Sequence, residues 1–189
     1  IEISNSEVPI MDGSSKEFVE TINRTGVKKL NKKRKYLKII KKFELKEKEK
    51  VISIEPNENS LKVDFQLVYS NEVIGTQSNQ INFADANLTE VYSSRTFCLF
   101  EDIEKIKKIG LAKGGSLDNA VVVKDNQILN PEGLRNNKEF VNHKILDLTG
   151  DFLLSGHRIL GSVKCSQGGH SLSNLFLREI FKDKSNFVM

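Results

Sequence analysis

At 189 residues, 38% hydrophobic and 29% charged, with a net charge of +4, the chain reads as a soluble globular protein with one substantial core or two small ones. No apolar run approaches the roughly 20 residues of a membrane span, and the amino terminus lacks a signal-peptide layout. Two cysteines, Cys98 and Cys165, lie far apart in apolar surroundings without a ligand motif, which fits a reduced, cytoplasmic protein.

Ile1-Glu2-Ile3 reads as a strand already under way and ending at Ser4, with no initiator methionine, so the chain is read as a fragment that begins inside a domain. Pro9-Ile10-Met11-Asp12-Gly13 is a turn with Asp12-Gly13 as its tight point. Ser14 followed by Glu17 three residues on forms a capping box, which predicts a helix over 15–24 stopped by Gly26. Lys28, Lys29, Lys32, Lys33, Arg34, Lys35, Lys38, Lys41 and Lys42 then crowd one stretch. Such a run suits nucleic acid or anionic lipid. Its only aromatic before Phe43 is Tyr36, and it alternates with Leu37 and Ile39, so it is read as a solvated linker entering an amphipathic strand.

From Tyr36 the period changes to two. Strands are predicted over 36–44 and 51–55, over 61–67 where Leu61, Val63, Phe65 and Leu67 alternate with polar residues, and over 80–83. Helical patterns follow over 84–92 and 101–109, joined by Ser94-Arg95-Thr96-Phe97. Lys113-Gly114-Gly115-Ser116 lacks the layout of a phosphate-binding loop and reads as a tight turn before a strand over 120–123. A long helix is predicted over 137–154, a strand over 157–164, and a last helix from His170 to Phe181 after Gly168-Gly169. The layout is α+β: a two-layer sandwich of antiparallel sheet with helices on one face.

The long helix carries the most information. His143, Asp147 and Asp151 recur at i, i+4 and i+8 and form one polar row. Val141, Ile145, Leu148 and Phe152 form a separate apolar stripe, at about 100° per residue, while Phe140 and Leu154 flank the polar row as if it faced a lined cleft. A histidine and a carboxylate one turn apart can hold one zinc ion, and a further carboxylate can orient a partner. On spacing alone a salt-bridged helix face is the favoured reading, because charged pairs at i, i+4 are common. Of the three histidines, His157 begins a predicted strand and is given a structural role.

Asn5-Ser6-Glu7-Val8-Pro9-Ile10-Met11-Asp12-Gly13-Ser14, Ser94-Arg95-Thr96-Phe97, Gly114-Gly115-Ser116, the segment from Glu139-Phe140-Val141 to Gly150-Asp151, and Gly168-Gly169-His170-Ser171-Leu172 together resemble the UDP-3-O-acyl-N-acetylglucosamine deacetylases, zinc enzymes of bacterial lipid A biosynthesis. The motifs occur in family order across essentially the whole chain. The resemblance implies two similar α+β domains: here a remnant of the first (1–28), a basic linker (29–35) and a complete second domain (36–189). It implies zinc-dependent removal of the acetyl group from UDP-linked acylated glucosamine, in the cytoplasm of a Gram-negative-type bacterium, by a monomer without a nucleic-acid partner. His143 and Asp147 would be zinc ligands. Asp151 would orient His170 as charged partner or general acid, and Thr96 would stabilise the oxyanion. Phe97 and Lys144 would contact substrate, while Leu117 and Val122 would line the acyl passage.

Two departures accompany the resemblance. The family's other zinc histidine and its general-base glutamate lie upstream of the position matching Ile1, so this chain alone is expected to bind zinc weakly and to be inactive. Gln167 stands where the family has a basic residue suited to the diphosphate, leaving that contact to Lys144, Lys164 or others. The alternative is a non-catalytic relative that holds the acyl chain or UDP-sugar. A nucleic-acid-binding domain built on the lysine run is set aside, because it leaves His143, Asp147, Asp151 and His170 unexplained.

Overall fold

The computed structural model describes residues 2–84, 87–110 and 112–189. Its main sheet is organised around β9 (Arg158–Ser166). β1 (Tyr36–Ile39) runs parallel to the first residues of β9, with Leu37 opposite Ile159, and β10 (Phe187–Val188) is antiparallel to β1. The rest of β9 lies between β3 (Lys50–Glu55), antiparallel, and β4 (Leu61–Val68), parallel, so that Cys165 faces Ile52 on one side and Phe65 on the other. β2 (Phe43–Glu47) closes the edge beside β3, and β5 (Thr76–Asn82) the edge beside β4. The fold is α+β, with two parallel pairings inside a sheet expected to be antiparallel throughout.

The period-two pattern of β4 determines its packing. Val63, Phe65 and Leu67 are buried while Gln66 and Val68 are exposed, so a single face is covered. The same side of the sheet receives α4 (Glu139–Phe152), over β4 and β5, and α5 (His170–Lys182), over β2 and β3. The predicted apolar stripe of α4 is wholly buried: Val141, Ile145, Leu148 and Phe152. Phe152 stacks on Phe176 of α5 at 6.1 Å, and Phe176 meets Phe43 of β2 at 5.5 Å. A smaller sheet, β6 (Phe97–Leu99), β7 (Val121–Lys124) and β8 (Gln127–Ile128), carries α3 (Phe100–Lys108) between its parallel first two strands.

Several expectations are corrected. Glu2–Ser4 forms no strand, because no described strand lies beside it to complete the backbone hydrogen bonds; Ile1 lies outside the described residues. α1 (Lys16–Thr25) forms and ends at Gly26, but not through a capping box. The Ser14 hydroxyl donates to Asp12 and accepts from the Lys16 amide, and Ser15 binds the Tyr92 carbonyl. The strand expected over 36–44 is two strands separated at 40–42, since β1 and β2 pair with different neighbours. β5 begins four residues earlier than expected; its polar Thr76-Gln77-Ser78-Asn79 carries no apolar signal because it is an edge strand. The helix expected over 84–92 is only α2 (Thr89–Tyr92), with Asp85 and Ala86 outside the described residues. β6, β8 and β10 are too short to show a period.

Candidate active site

Helix α4 presents its polar row as the spacing required. His143 lies almost wholly buried, its Nε2 3.3 Å from Asp147 Oδ1, and one turn on Asp151 reaches His170. The ring of His143 is fixed from behind: Nδ1 lies 3.1 Å from the Ser94 carbonyl oxygen. A carbonyl only accepts, so Nδ1 carries the hydrogen and the lone pair sits on Nε2. Burial pushes the ring's proton affinity below that of a free histidine, against the opposing pull of Asp147 and the Ser94 carbonyl. The imidazole is therefore neutral at neutral pH, and Nε2 and Oδ1 face each other as two acceptors. A shared cation satisfies that arrangement. Lys144 Nζ takes the other Asp147 oxygen at 2.8 Å, so this lysine is committed to the carboxylate rather than free in solvent.

Asp151 accepts from His170 Nδ1, at 2.9 and 3.0 Å to its two oxygens. His170 opens α5, and its side chain is 70% exposed, with Nε2 directed away from the carboxylate. Gly168 allows this approach, since a Cβ there would lie 2.3 Å from Cys165 Sγ. Cys165 itself is an inert core thiol: burial pushes it up to about 12, outweighing the Gly168 backbone bond.

Thr96 joins two hollows. One, of about 330 Å³, includes Gly13, Ser14, Thr96, His143 and Asp147 in its lining. The other, of about 1370 Å³, is lined by Thr96, Phe97, Leu117, Val122, Cys98 and Phe100, among others. Phe97, Leu117 and Val122, the expected substrate contacts, thus share one apolar cavity that meets the His143 and Asp147 hollow at Thr96. Phe140, fully buried and edge-on to Phe97 at 4.9 Å, and Leu154, exposed at the end of the helix, line neither hollow, contrary to expectation. His157 lies beside the start of β9 with its backbone tied to Ser155, apart from both hollows. Gln167 takes a left-handed backbone, φ 54°, with its amide donating to Gln66.

The sequence reading missed a buried ionic network behind the site. Arg95, 2% exposed, binds Glu139, which is fully buried, through Nε at 2.8 Å, and also contacts Glu132 and the Gly133 carbonyl. Burial opposes the charge on Arg95, but Glu139 and then Glu132 outweigh it and hold the guanidinium firmly protonated. Arg135 bonds Asp12 at 2.8 Å and the Ser93 carbonyl at 2.9 Å, tying the turn before α1 to the segment carrying Thr96. The sequence did carry a signal: Glu139 stands four residues before His143 and extends the same row by a turn.

The chain matches the family model for UDP-3-O-acyl N-acetylglycosamine deacetylase over residues 1–182. It is 40% identical to the UDP-3-O-acyl-N-acetylglucosamine deacetylase of Campylobacter hominis over 190 residues, covering 100% of this chain and 64% of the relative. The enzyme of the same description from Citrifermentans bemidjiense is 40% identical over 183 residues, covering 96% and 60%. That from Nautilia profundicola is 41% identical over 179 residues, covering 94% and 61%. The chain thus spans about 60–64% of the length of these relatives.

Proposed function

The chain belongs to the UDP-3-O-acyl N-acetylglycosamine deacetylase family, and on that footing we propose that it carries two ligands of a zinc site for hydrolysing the N-acetyl group of UDP-3-O-acyl-N-acetylglucosamine, with release of acetate, in lipid A biosynthesis. The observation that carries this reading is the pair of acceptors, His143 Nε2 and Asp147 Oδ1, held 3.3 Å apart beside Thr96. A tetrahedral zinc with ligand bonds of about 2.1 Å needs neighbouring donors roughly 3.4 Å apart, so spacing and donor chemistry both fit. Among the described residues no third His, Cys, Asp or Glu joins them. Bound there, zinc supplies polarisation of an amide carbonyl and activation of a water.

The chain's own groups divide the remaining work. Thr96 offers a hydroxyl to the carbonyl oxygen as it gains charge. Asp151 holds His170 by Nδ1, so that Nε2 delivers a proton to the departing amine. Phe97, Leu117 and Val122 take the acyl chain into the larger cavity, and Lys144, paired with Asp147, is the cation beside the site for substrate. Lys164, by contrast, lies on the face of β9 opposite the buried Val163 and Cys165, away from α4. The third ligand and the water-activating base are not among these residues.

The test has two arms. Titrated with Zn2+, the chain should bind weakly, and His143→Ala or Asp147→Ala should lower that affinity at least about tenfold; unchanged binding in both variants overturns the metal reading. Incubated with Zn2+ and UDP-3-O-acyl-N-acetylglucosamine, the chain alone should release almost no acetate. Turnover at the rate of an intact relative would show that the base is already here. A second reading, a non-catalytic acyl-sugar binder, draws on the 1370 Å³ cavity beside only two metal donors. Saturable substrate binding by the chain, with no turnover even when the missing family segment is supplied, selects it.

A further inference from the structure

Ser94 and Arg95 share one peptide unit, and both of its polar ends are bound by the same helix. The Ser94 carbonyl accepts from His143 Nδ1 at 3.1 Å, and the Arg95 amide donates to Glu139 Oε1 at 3.1 Å. Glu139 and His143 are one turn apart on α4, so the peptide bridges consecutive turns of a single face. The two oxygens of Glu139 are otherwise occupied: Oε1 by Arg95 Nε at 2.8 Å, and Oε2 by the Arg135 amide at 2.6 Å and Arg95 Nη2 at 3.2 Å. The carboxylate is wholly buried and accepts four hydrogen bonds, two of them from backbone amides, so its position is over-determined.

We propose that Glu139 is a positioning residue: by clamping the Arg95 amide it aims the Ser94 carbonyl at His143 Nδ1, and so keeps the lone pair of His143 on Nε2, facing Asp147. The Arg95 guanidinium pairs with Glu139 where both are buried, and Arg135 extends the clamp to Asp12. Without Glu139 the peptide is free to rotate, its carbonyl leaves Nδ1, and the ring adopts both tautomers. In the Nε2–H tautomer that nitrogen donates to Asp147 and cannot bind a cation. The consequence for metal rests on the reading of His143 as a ligand, whereas the tautomer itself does not.

Nitrogen-15 NMR of the imidazole rings in the metal-free chain, at a pH where His143 is neutral, reads the tautomer directly. The unsubstituted chain should show His143 as a single Nδ1–H form; a mixture there overturns the proposal at once. Glu139→Ala, which removes the acceptor of the Arg95 amide, should give a mixture while circular dichroism stays native. Should that variant not fold, Glu139→Leu combined with Arg95→Met replaces the buried ion pair by apolar groups, a change that is often neutral for stability, and it removes the acceptor for the Arg95 amide. A folded variant that keeps one tautomer overturns the clamp. Zn2+ titration of the same proteins should show affinity about 10–100-fold weaker in the variants, and unchanged affinity beside a mixed tautomer overturns the link to metal. Failure of the unsubstituted chain to bind Zn2+ would count against the metal reading of the site and leave the tautomer measurement to decide the clamp.

Discussion

Asp12 holds its charge at the margin of the site against partial burial, because the Ser14 hydroxyl and amide donate to it and Arg135 lies 2.8 Å away. Burial raises its proton affinity, but these partners outweigh burial and hold the carboxyl below its ordinary value of 3.8. A folded-state value below the unfolded one means that stability is gained above the unfolded value and lost as pH falls through the folded one. Asp12→Asn should therefore cost about 1 kcal/mol at pH 7, and its stability should decline less steeply in acid. Urea melts at pH 7 and in a series below pH 4 measure both, and parallel acid limbs would contradict the assignment. At this scale the polar row His143, Asp147 and Asp151 was legible because helical spacing is a property of neighbouring residues. The Arg95–Glu139 pair was not, since it joins positions 44 apart and a buried charge is tolerable only once both partners meet.

Among the elements, those that bury one face reveal themselves. β4 and α4 have strict periods because each meets the core along a single side, and the pattern places both within two residues. Elements defined by pairing alone gave no such signal: β5 is a polar edge, β6 and β10 exist through hydrogen bonds to distant strands, and β8 is the two-residue return of a tight hairpin with β7. The turn before α1 is another product of distant contact. Gly13 has φ 83°, its carbonyl accepts from the Thr96 amide at 2.7 Å, and a Cβ on it would lie 2.1 Å from the Asn119 carbonyl oxygen. Gly13→Ala combines a strained backbone with a backbone clash and should lower stability by at least about 2 kcal/mol. Thermal melts check this, and a melting temperature within a degree of the parent would show that the turn and the Thr96 segment move apart freely.

At the scale of the molecule, the α+β class was legible from the order of patterns, and the parallel pairings of β9 were not, because alternation says nothing of a neighbour's direction. The basic segment contributes little to this assembly. Lys28, Lys29, Lys32, Lys33, Arg34 and Lys35 are exposed and form no ion pair among the described residues. Neutralising Lys32, Lys33 and Arg34 together should shift stability by less than about 0.5 kcal/mol. Chemical denaturation tests this, and a loss above 1 kcal/mol would mean that the segment packs on the fold.

The peptide gripped between Glu139 and His143 makes α4 a gauge block. Its two anchor points are separated by four residues of helical rise, about 6 Å, a length set by backbone hydrogen bonding and not by loops. The segment 94–96 is thereby registered to a standard that neither substrate nor solvent can easily stretch. Thr96 takes its place from the same registration, so the bearing of the imidazole and the station of the hydroxyl are calibrated together by one helix.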